Sequence, residues 1–333
     1  MVTCAYCGES TTDPSVDHIF PQFLGGERTI HACRSCNSKF GHTFEGKVAD
    51  ALEPIYVQLA YWGVPLVARQ RWWRSAYCVE GATLDLAVGS QGLLARSSHP
   101  IIIKDGAGSV TAAYFERERD LELFQRVTER RKPDAQWIPD EKRVTTNLKG
   151  LRWSLELGPC LQQMALKMCV AASTLLPNLQ HEDRVSATRS LREIPSGPHD
   201  CVAQYMHLIE AITAKRPALA HTLYVEHDGV RAQGFVEFFG TFPLFINLCH
   251  QSERLGRDAI LGYLDPVSED EHFEMVEPIG LPPPPSFYTA QEIIQHQITI
   301  TARLIQSARL RGATVNPDVA LTARLPDNPV FPL

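Results

Sequence analysis

The sequence predicts an α+β protein in which a small cysteine-rich N-terminal module precedes a larger domain containing an antiparallel meander. Two cysteine pairs lie within the first 36 residues, and helical patterns recur in the middle and near the end of the chain. Three strand-like runs fill residues 219–250. We expect the module to span residues 1–57 and the second domain to span residues 58–333.

Each further element follows from its own local pattern. Apolar residues at helical spacing predict helices, and apolar runs around glycine-rich or Asp-Gly turns predict antiparallel strands. In chain order, these patterns predict a helix over residues 37–53, a hairpin over 99–115, a charged helix that stops at Pro133, an amphipathic helix over 158–176, three strands over 219–250 and a helix over 289–311. The Asp228-Gly229 turn separates the first two of the three strands.

Composition narrows the range of functions. The formal net charge is -6, so the chain is not a polycation, and any contact with nucleic acid must come from a local basic face. The sequence has no signal-peptide pattern at Met1 and no apolar stretch near the ~18 residues that span a bilayer. We therefore expect a cytoplasmic protein with no membrane partner, in a reducing compartment where paired cysteines are metal ligands before they are disulfides.

The four N-terminal cysteines have the spacing of a structural zinc site. Cys4 and Cys7 form one C-x2-C pair, and Cys33 and Cys36 form another. Thiolates are soft ligands, and four of them suit tetrahedral Zn²⁺. The alternative is four unpaired core cysteines, which a segment this small could hardly bury. We predict that these four residues bind a structural zinc ion.

The 25 residues between the cysteine pairs contain an Asp-His dipeptide, Asp17-His18, followed by a Gly-Gly turn. Asn37 comes directly after the last cysteine, where the helical pattern begins. Taken alone, Asp17-His18 could be an ordinary ion pair at a strand end. The cysteine pairs and Asn37 favour a catalytic site instead.

The combined pattern CAYCG…VDHIFPQFLGG…ACRSCNSKFG resembles the zinc-stapled HNH endonucleases, over roughly the first 50 residues. The resemblance implies a ββα-metal, treble-clef-like fold, in which a hairpin carries the Asp-His dipeptide and a helix carries the last metal ligand. Carried over position by position, it implies that Asp17 and Asn37 bind the catalytic metal ion and that His18 is the general base.

The chemistry of these side chains agrees with those roles. Hydrolysis of a phosphodiester needs an activated water and a cation near the leaving oxygen. Carboxylate and amide oxygens are hard ligands suited to Mg²⁺ or Mn²⁺, and an imidazole with a pKa near ~6.5 is a suitable base at neutral pH. We therefore predict a metal-dependent endonuclease that acts on DNA.

The sequence departs from the family at one position. The middle Asn of the family, which usually braces the loop between the hairpin strands, would fall near Arg28 or Thr29. Neither residue is Asn, and the nearest substitutes are Arg28, Thr29 and His31. The resemblance implies that the missing residue is mainly structural, so the expected fold is unchanged.

Four side chains of the module are candidates for contact with nucleic acid. Arg34 and Lys39 flank the predicted metal site and could reach phosphates, and Arg28 and His42 lie nearby in the sequence. The alternative for each of them is an ordinary solvated side chain.

The larger domain carries no motif that identifies its role. It could recognise DNA, sense a regulatory ligand or bind a partner protein. A nuclease followed by a second, controlling domain is a layout similar to that of bacterial defence effectors, an analogy of architecture only. The rival interpretation of the whole chain is a non-catalytic zinc finger that binds nucleic acid or protein, which explains the cysteine pairs but not Asp17, His18 and Asn37.

Overall fold

The computed structural model describes most of the chain. The described residues are 1–66, 72–79, 82–89, 92–97, 101–107, 110–114, 118–131, 158–193, 201–205, 209–249, 256–284 and 289–314. Pro133, the predicted end of the charged helix, lies outside them.

The chain is a mixture of helices and antiparallel sheets, as predicted. The strands are β1 (Val2–Thr3), β2 (Ser10–Thr11), β3 (Pro14–His18), β4 (Thr29–Cys33), β5 (Trp73–Val79), β6 (Ala82–Gly89), β7 (Gly92–Ser97), β8 (Ile101–Lys104), β9 (Val110–Tyr114), β10 (Val202–Gln204), β11 (His221–His227), β12 (Ala232–Phe238), β13 (Phe242–Cys249), β14 (Asp258–Leu264) and β15 (Glu271–Val276). The α-helices are α1 (Arg34–Phe40), α2 (Gly46–Tyr61), α3 (Glu118–Arg131), α4 (Pro159–Ala172), α5 (Val185–Glu193), α6 (Glu210–Thr213) and α7 (Ala290–Leu310), and a π-helical turn (Gly41–Glu45) joins α1 to α2.

The described residues divide into two compact units. One unit falls within residues 1–52, 62–69 and 155–333, and the other falls within residues 53–61 and 70–154. The cysteine-rich segment therefore belongs to the same unit as the C-terminal half of the chain. The predicted boundary after residue 57 stays a prediction.

The first unit is built on a six-stranded antiparallel sheet with the strand order β10-β13-β12-β11-β14-β15. Strands β11, β12 and β13 follow one another as the meander that the sequence predicts. At the first turn, the Asp228 carboxylate accepts hydrogen bonds from the backbone N–H groups of Val230 and Arg231, and Gly229 has a φ of 96°. Strands β14 and β15 extend the sheet beyond the predicted elements.

Helix α4 packs against strands β11, β12 and β13, and it also contacts the π-helical turn. The sequence predicts one buried face for this helix. Instead, every residue from Gln163 to Ala172 is buried, because the helix lies between the sheet and the N-terminal hairpin and helices. Its one charged residue, Lys167, is 0% exposed. A charge in this position requires partners of opposite charge.

The second unit contains the three-stranded sheet β5-β6-β7, the hairpin β8-β9 and helix α3. The hairpin and the charged helix agree with the predicted elements. Within the three-stranded sheet, the Arg96 guanidinium lies 3.8 Å from the centre of the Trp72 ring and pairs with the buried Asp85 carboxylate. None of the helices described in the chain is both long and apolar enough to cross a membrane.

The N-terminal hairpin pairs β3 with β4, so that Pro14 lies opposite Cys33 and His18 lies opposite Thr29. The loop between the two strands contains a short 3-10 turn (Gln22–Leu24), which ends at Gly25 with a φ of 106°. The next residue, Gly26, is buried against Phe20, and a Cβ there would lie 1.9 Å from the Phe20 carbonyl oxygen. The Gly-Gly pair thus supplies a left-handed residue and then a close backbone approach.

Substitution of Gly26 by Ala should destabilise the hairpin, because the new methyl group meets backbone that cannot rotate away. We expect a lower midpoint of thermal unfolding, with a cost of ~1–3 kcal/mol or more. Gly41→Ala is the matched control, since Gly41 is helical and a Cβ there has nothing within 4 Å. That variant should be unchanged or more stable by ~0.5–1 kcal/mol. Equal thermal midpoints for the two variants would contradict this account of Gly26.

Candidate functional site

Four cysteine sulfurs converge at one end of the hairpin. The Sγ atoms of Cys4, Cys7, Cys33 and Cys36 all lie within 4.8 Å of one another, and those of Cys7 and Cys33 are 3.9 Å apart. Tetrahedral zinc with Zn–S bonds of ~2.3 Å places its sulfurs ~3.8 Å apart. The cluster therefore fits one zinc ion, and it is the only such group of Cys, His, Asp and Glu ligands within the described residues.

Hydrogen bonds within the cluster favour the thiolate form of Cys4. The N–H of Tyr6 lies 3.4 Å from Cys4 Sγ, and the N–H of Cys36 lies 3.4 Å from Cys33 Sγ at the start of α1. A hydrogen bond from the Cys36 thiol lowers the pKa of Cys4 to about 4, and the same contact raises the pKa of Cys36. Four thiolates this close repel one another, and a divalent cation between them removes that repulsion.

Asn37 links α1 to the catalytic strand that the sequence predicts. Its Nδ2 donates to Ser15 Oγ at 2.7 Å and to the carbonyl oxygen of Val16 at 2.9 Å. Val16 directly precedes Asp17 in β3. The structure therefore brings Asn37 beside the strand that carries Asp17 and His18.

The Asp17 carboxylate points into the protein and is almost fully hydrogen-bonded. Asp17 is 5% exposed. Its Oδ2 accepts from the Tyr6 hydroxyl at 2.7 Å, and its Oδ1 accepts from its neighbour's backbone N–H at 2.8 Å and from Lys167 Nζ at 2.8 Å. Lys167 Nζ also donates to Glu45 Oε1 at 2.6 Å. A lysine ammonium from α4 is therefore the cation beside Asp17.

This arrangement does not fit a divalent ion at Asp17, because both carboxylate oxygens accept hydrogen bonds and the Lys167 ammonium lies where a cation would bind. The assignment of Asp17 and Asn37 as ligands of a catalytic ion stays a prediction. The sequence carries no local signal for Lys167, which is 150 residues from Asp17.

His18 ends β3 and is half-buried, so it is more accessible than Asp17. Burial raises the pKa of Glu271, on β15 of the six-stranded sheet, and the backbone N–H groups of Arg28 and Glu27 and the charge of His18 offset part of that rise. The site therefore has an accessible imidazole next to a partly desolvated carboxylate.

Glu271 also braces the hairpin loop. Its Oε2 accepts from the backbone N–H of Glu27 at 2.9 Å and from the backbone N–H of Arg28, while its Oε1 is buried and has no hydrogen-bond partner among the described residues. These hydrogen bonds fix the loop near Arg28 and Thr29, where the sequence lacks the family's middle Asn. It comes from 243 residues away, which is why the local sequence does not reveal it.

The four residues predicted to contact nucleic acid are all exposed. Arg34 forms a two-bond ion pair with Asp13, the Lys39 ammonium donates to the carbonyl oxygen of Arg192, and the Arg28 guanidinium lies 5.8 Å from the centre of the Phe273 ring. The fourth residue, His42, lies in the π-helical turn. Surface contacts of this kind are weak and can be exchanged for phosphate contacts.

Comparison with known proteins identifies the N-terminal segment. Residues 4–53 match the family model described as HNH endonuclease, which confirms the resemblance noted in the sequence. The match includes both cysteine pairs, Asp17, His18 and Asn37. The chain matches no curated protein and no solved structure.

If the four cysteines hold zinc, the purified protein should contain one zinc ion per chain by elemental analysis. Cys33→Ser removes one ligand and the sulfur that accepts from Cys36, so it should lower both the zinc content and the midpoint of thermal unfolding. Cys160→Ser is the control, because Cys160 lies on α4 and outside the cluster. Full zinc content in Cys33→Ser would contradict the site.

Glu271→Ala should destabilise the hairpin loop, since it leaves two backbone N–H groups without their charged acceptor. Hydrogen bonds to charged groups contribute ~1.5–3 kcal/mol each, so we expect a loss of at least ~1.5 kcal/mol in the free energy of unfolding. Glu274→Ala on the same strand removes only an exposed pair with Lys215 and should cost less than ~1 kcal/mol. Urea denaturation of the two variants measures the difference, and equal losses would contradict a bracing role.

Proposed function

We propose that the N-terminal segment is an HNH-type endonuclease that hydrolyses phosphodiester bonds in DNA. The observation that supports this most is the accessible His18 at the end of β3, the strand that Asn37 contacts at Val16, in a hairpin whose end carries the four-cysteine cluster. The match of residues 4–53 to the HNH endonuclease family supports the same activity.

In this proposal, His18 is the general base. Its neutral imidazole accepts a proton from a water molecule, the water oxygen forms a bond to the scissile phosphorus, and the bond from phosphorus to the leaving oxygen breaks. The leaving oxygen then takes up a proton from solvent.

Exposed cationic side chains would position the DNA backbone. These four side chains come from the hairpin loop, from α1 and from the following turn: Arg28, Arg34, Lys39 and His42. Each could exchange its present surface contact for a phosphate oxygen. Contacts of this kind are independent of base sequence and depend strongly on salt.

The catalytic Mg²⁺ or Mn²⁺ expected from the resemblance belongs to the same proposal. Such an ion, when bound, supplies positive charge to the phosphate. Asp17 and Asn37 are its proposed ligands, and in the structure the Lys167 ammonium holds the position beside Asp17 that the ion would need.

The burial of Asp17 gives the rival function a specific argument. A zinc module in which Asp17 is paired with the Lys167 ammonium could bind nucleic acid or a partner protein without cutting DNA. Residues 58–333 could then recognise DNA, a ligand or a partner, as the sequence analysis allows, and the defence role stays a prediction. A cleavage assay separates the two functions.

Wild-type protein should nick supercoiled plasmid when Mg²⁺ or Mn²⁺ is added, and EDTA should block the reaction. His18→Ala should lower the cleavage rate ~10²–10⁴-fold, because it removes the base. DNA affinity in a filter-binding or anisotropy assay should be unchanged, because phosphate contacts set it. His31→Ala, on the exposed side of β4, is the matched control and should cleave normally. Normal cleavage by His18→Ala would exclude the proposed mechanism, and binding without any nicking by the wild type would favour the rival function.

A further inference from the structure

We infer that helix α5 continues the DNA-binding surface proposed for the N-terminal segment, and that the guanidinium groups of Arg189 and Arg192 contact the phosphate backbone of the duplex. The inference rests on the proposed function for the identity of its ligand, DNA. Helix α5 lies outside residues 4–53, which match the HNH endonuclease family, so that match gives it no role.

Positive charge is concentrated in two short segments of a chain whose formal net charge is -6. Residues 34–47 contain three lysines or arginines and one acid, Glu45, and residues 184–192 contain three arginines and no acid. The Glu45 carboxylate is paired with the buried Lys167 ammonium, so it is already balanced. In an acidic protein, a polyanion binds where cations are concentrated locally in this way.

Two hydrogen bonds hold the end of α5 beside the N-terminal segment. The Lys39 ammonium on α1 donates to the carbonyl oxygen of Arg192, and Gln163 Nε2 on α4 donates to the carbonyl oxygen of Leu191 at 3.2 Å. Carbonyl groups in the last turn of a helix have no partner within the helix and accept such bonds readily. The last turn of α5 therefore lies directly next to α1, and the two positive segments meet there.

The arginines of α5 point away from the core. Ala187, Thr188 and Leu191 are buried, whereas Arg189 and Arg192 are exposed. Residues three apart are neighbours on a helix surface, so these two like charges lie side by side. Neither guanidinium pairs with a carboxylate in the part of the chain that the structure describes. Two adjacent, unpaired guanidinium groups are suited to phosphate oxygens, which each of them can bind through two N–H donors.

The arginines of α5 are close enough to the proposed base to contact the same duplex. Asn37 on α1 contacts Val16, two residues before His18, and Lys39 on the same helix contacts Arg192. Strand residues advance ~3.3 Å and helix residues ~1.5 Å each, so this series of contacts spans less than the ~34 Å of one turn of B-DNA. A duplex bound at His18 is therefore long enough to reach α5.

The test is the salt dependence of DNA binding by the zinc-loaded, full-length protein. Fluorescence anisotropy with a mixed-sequence duplex of about 30 base pairs, without added divalent ions, gives the slope of log K against log[KCl]. Each phosphate contact contributes ~0.9 to this slope, so Arg189→Ala combined with Arg192→Ala should reduce its magnitude by about 1.8. Affinity at about 0.1 M KCl should fall at least ~10-fold. Lysine at both positions should restore most of the affinity, because it keeps the charge.

The matched control removes two exposed cations from other elements, Lys215 after α6 and Arg309 on α7. Its net charge equals that of the double alanine variant of α5, so it should bind DNA with the wild-type slope. Both double variants should keep the wild-type midpoint of thermal unfolding within a few degrees, because the four side chains are exposed and the Arg192 carbonyl stays in place. Equal losses of affinity in the two double variants would show an effect of net charge alone and would overturn the inference.

Plasmid cleavage separates this inference from the proposed function. If the α5 variant loses the predicted slope but the wild type never nicks DNA, the binding surface stands and the nuclease proposal fails. If the wild type cuts DNA while the α5 variant binds it with the wild-type slope, the nuclease stands and the α5 surface fails. Binding of a polyglutamate peptide but not of DNA would indicate an acidic protein partner and would also overturn the inference.

Discussion

A single buried ammonium joins the N-terminal segment to helix α4 in the middle of the chain. Lys167 has no exposed surface, and its charge is balanced by Asp17 and Glu45 from the N-terminal hairpin and helices. Removing either partner from such a group typically costs ~3–5 kcal/mol, since an unpaired charge then remains in the interior. The contact thus constrains where α4 can lie.

Helix α4 can carry this lysine because of what surrounds it. The helix packs against β11, β12 and β13 on one side and against the π-helical turn on the other, so its polar group has no route to water. A hydrophobic residue at this position would satisfy packing without any need for partners. The lysine is tolerated here because Asp17 and Glu45 both balance its charge.

Other distant residues complete the N-terminal segment in the same way. Glu271 on β15 holds the hairpin loop, and Phe273 on the same strand lies 5.6 Å from the Phe20 ring and beneath the Arg28 guanidinium. The backbone of Arg192 accepts from Lys39. The four clustered cysteines differ, because all of them come from the first 36 residues and depend on local turns. Local turns therefore bring the four cysteines together, and long-range packing shapes the surface next to His18.

The sequence by itself determined the elements and residues whose signals are local. The spacing of the cysteines, the Asp-His dipeptide and the Cys-Asn step were sufficient for the zinc cluster and for the match of residues 4–53 to the HNH endonucleases. Hydrophobic periodicity and the Asp228-Gly229 turn were sufficient for α4, α7 and the meander. Only the tertiary structure decided that α4 is buried on all sides, that Glu271 braces the loop, and that Lys167 lies between Asp17 and Glu45. Those contacts join residues 120–240 or more positions apart, and no local pattern records which charge will face which.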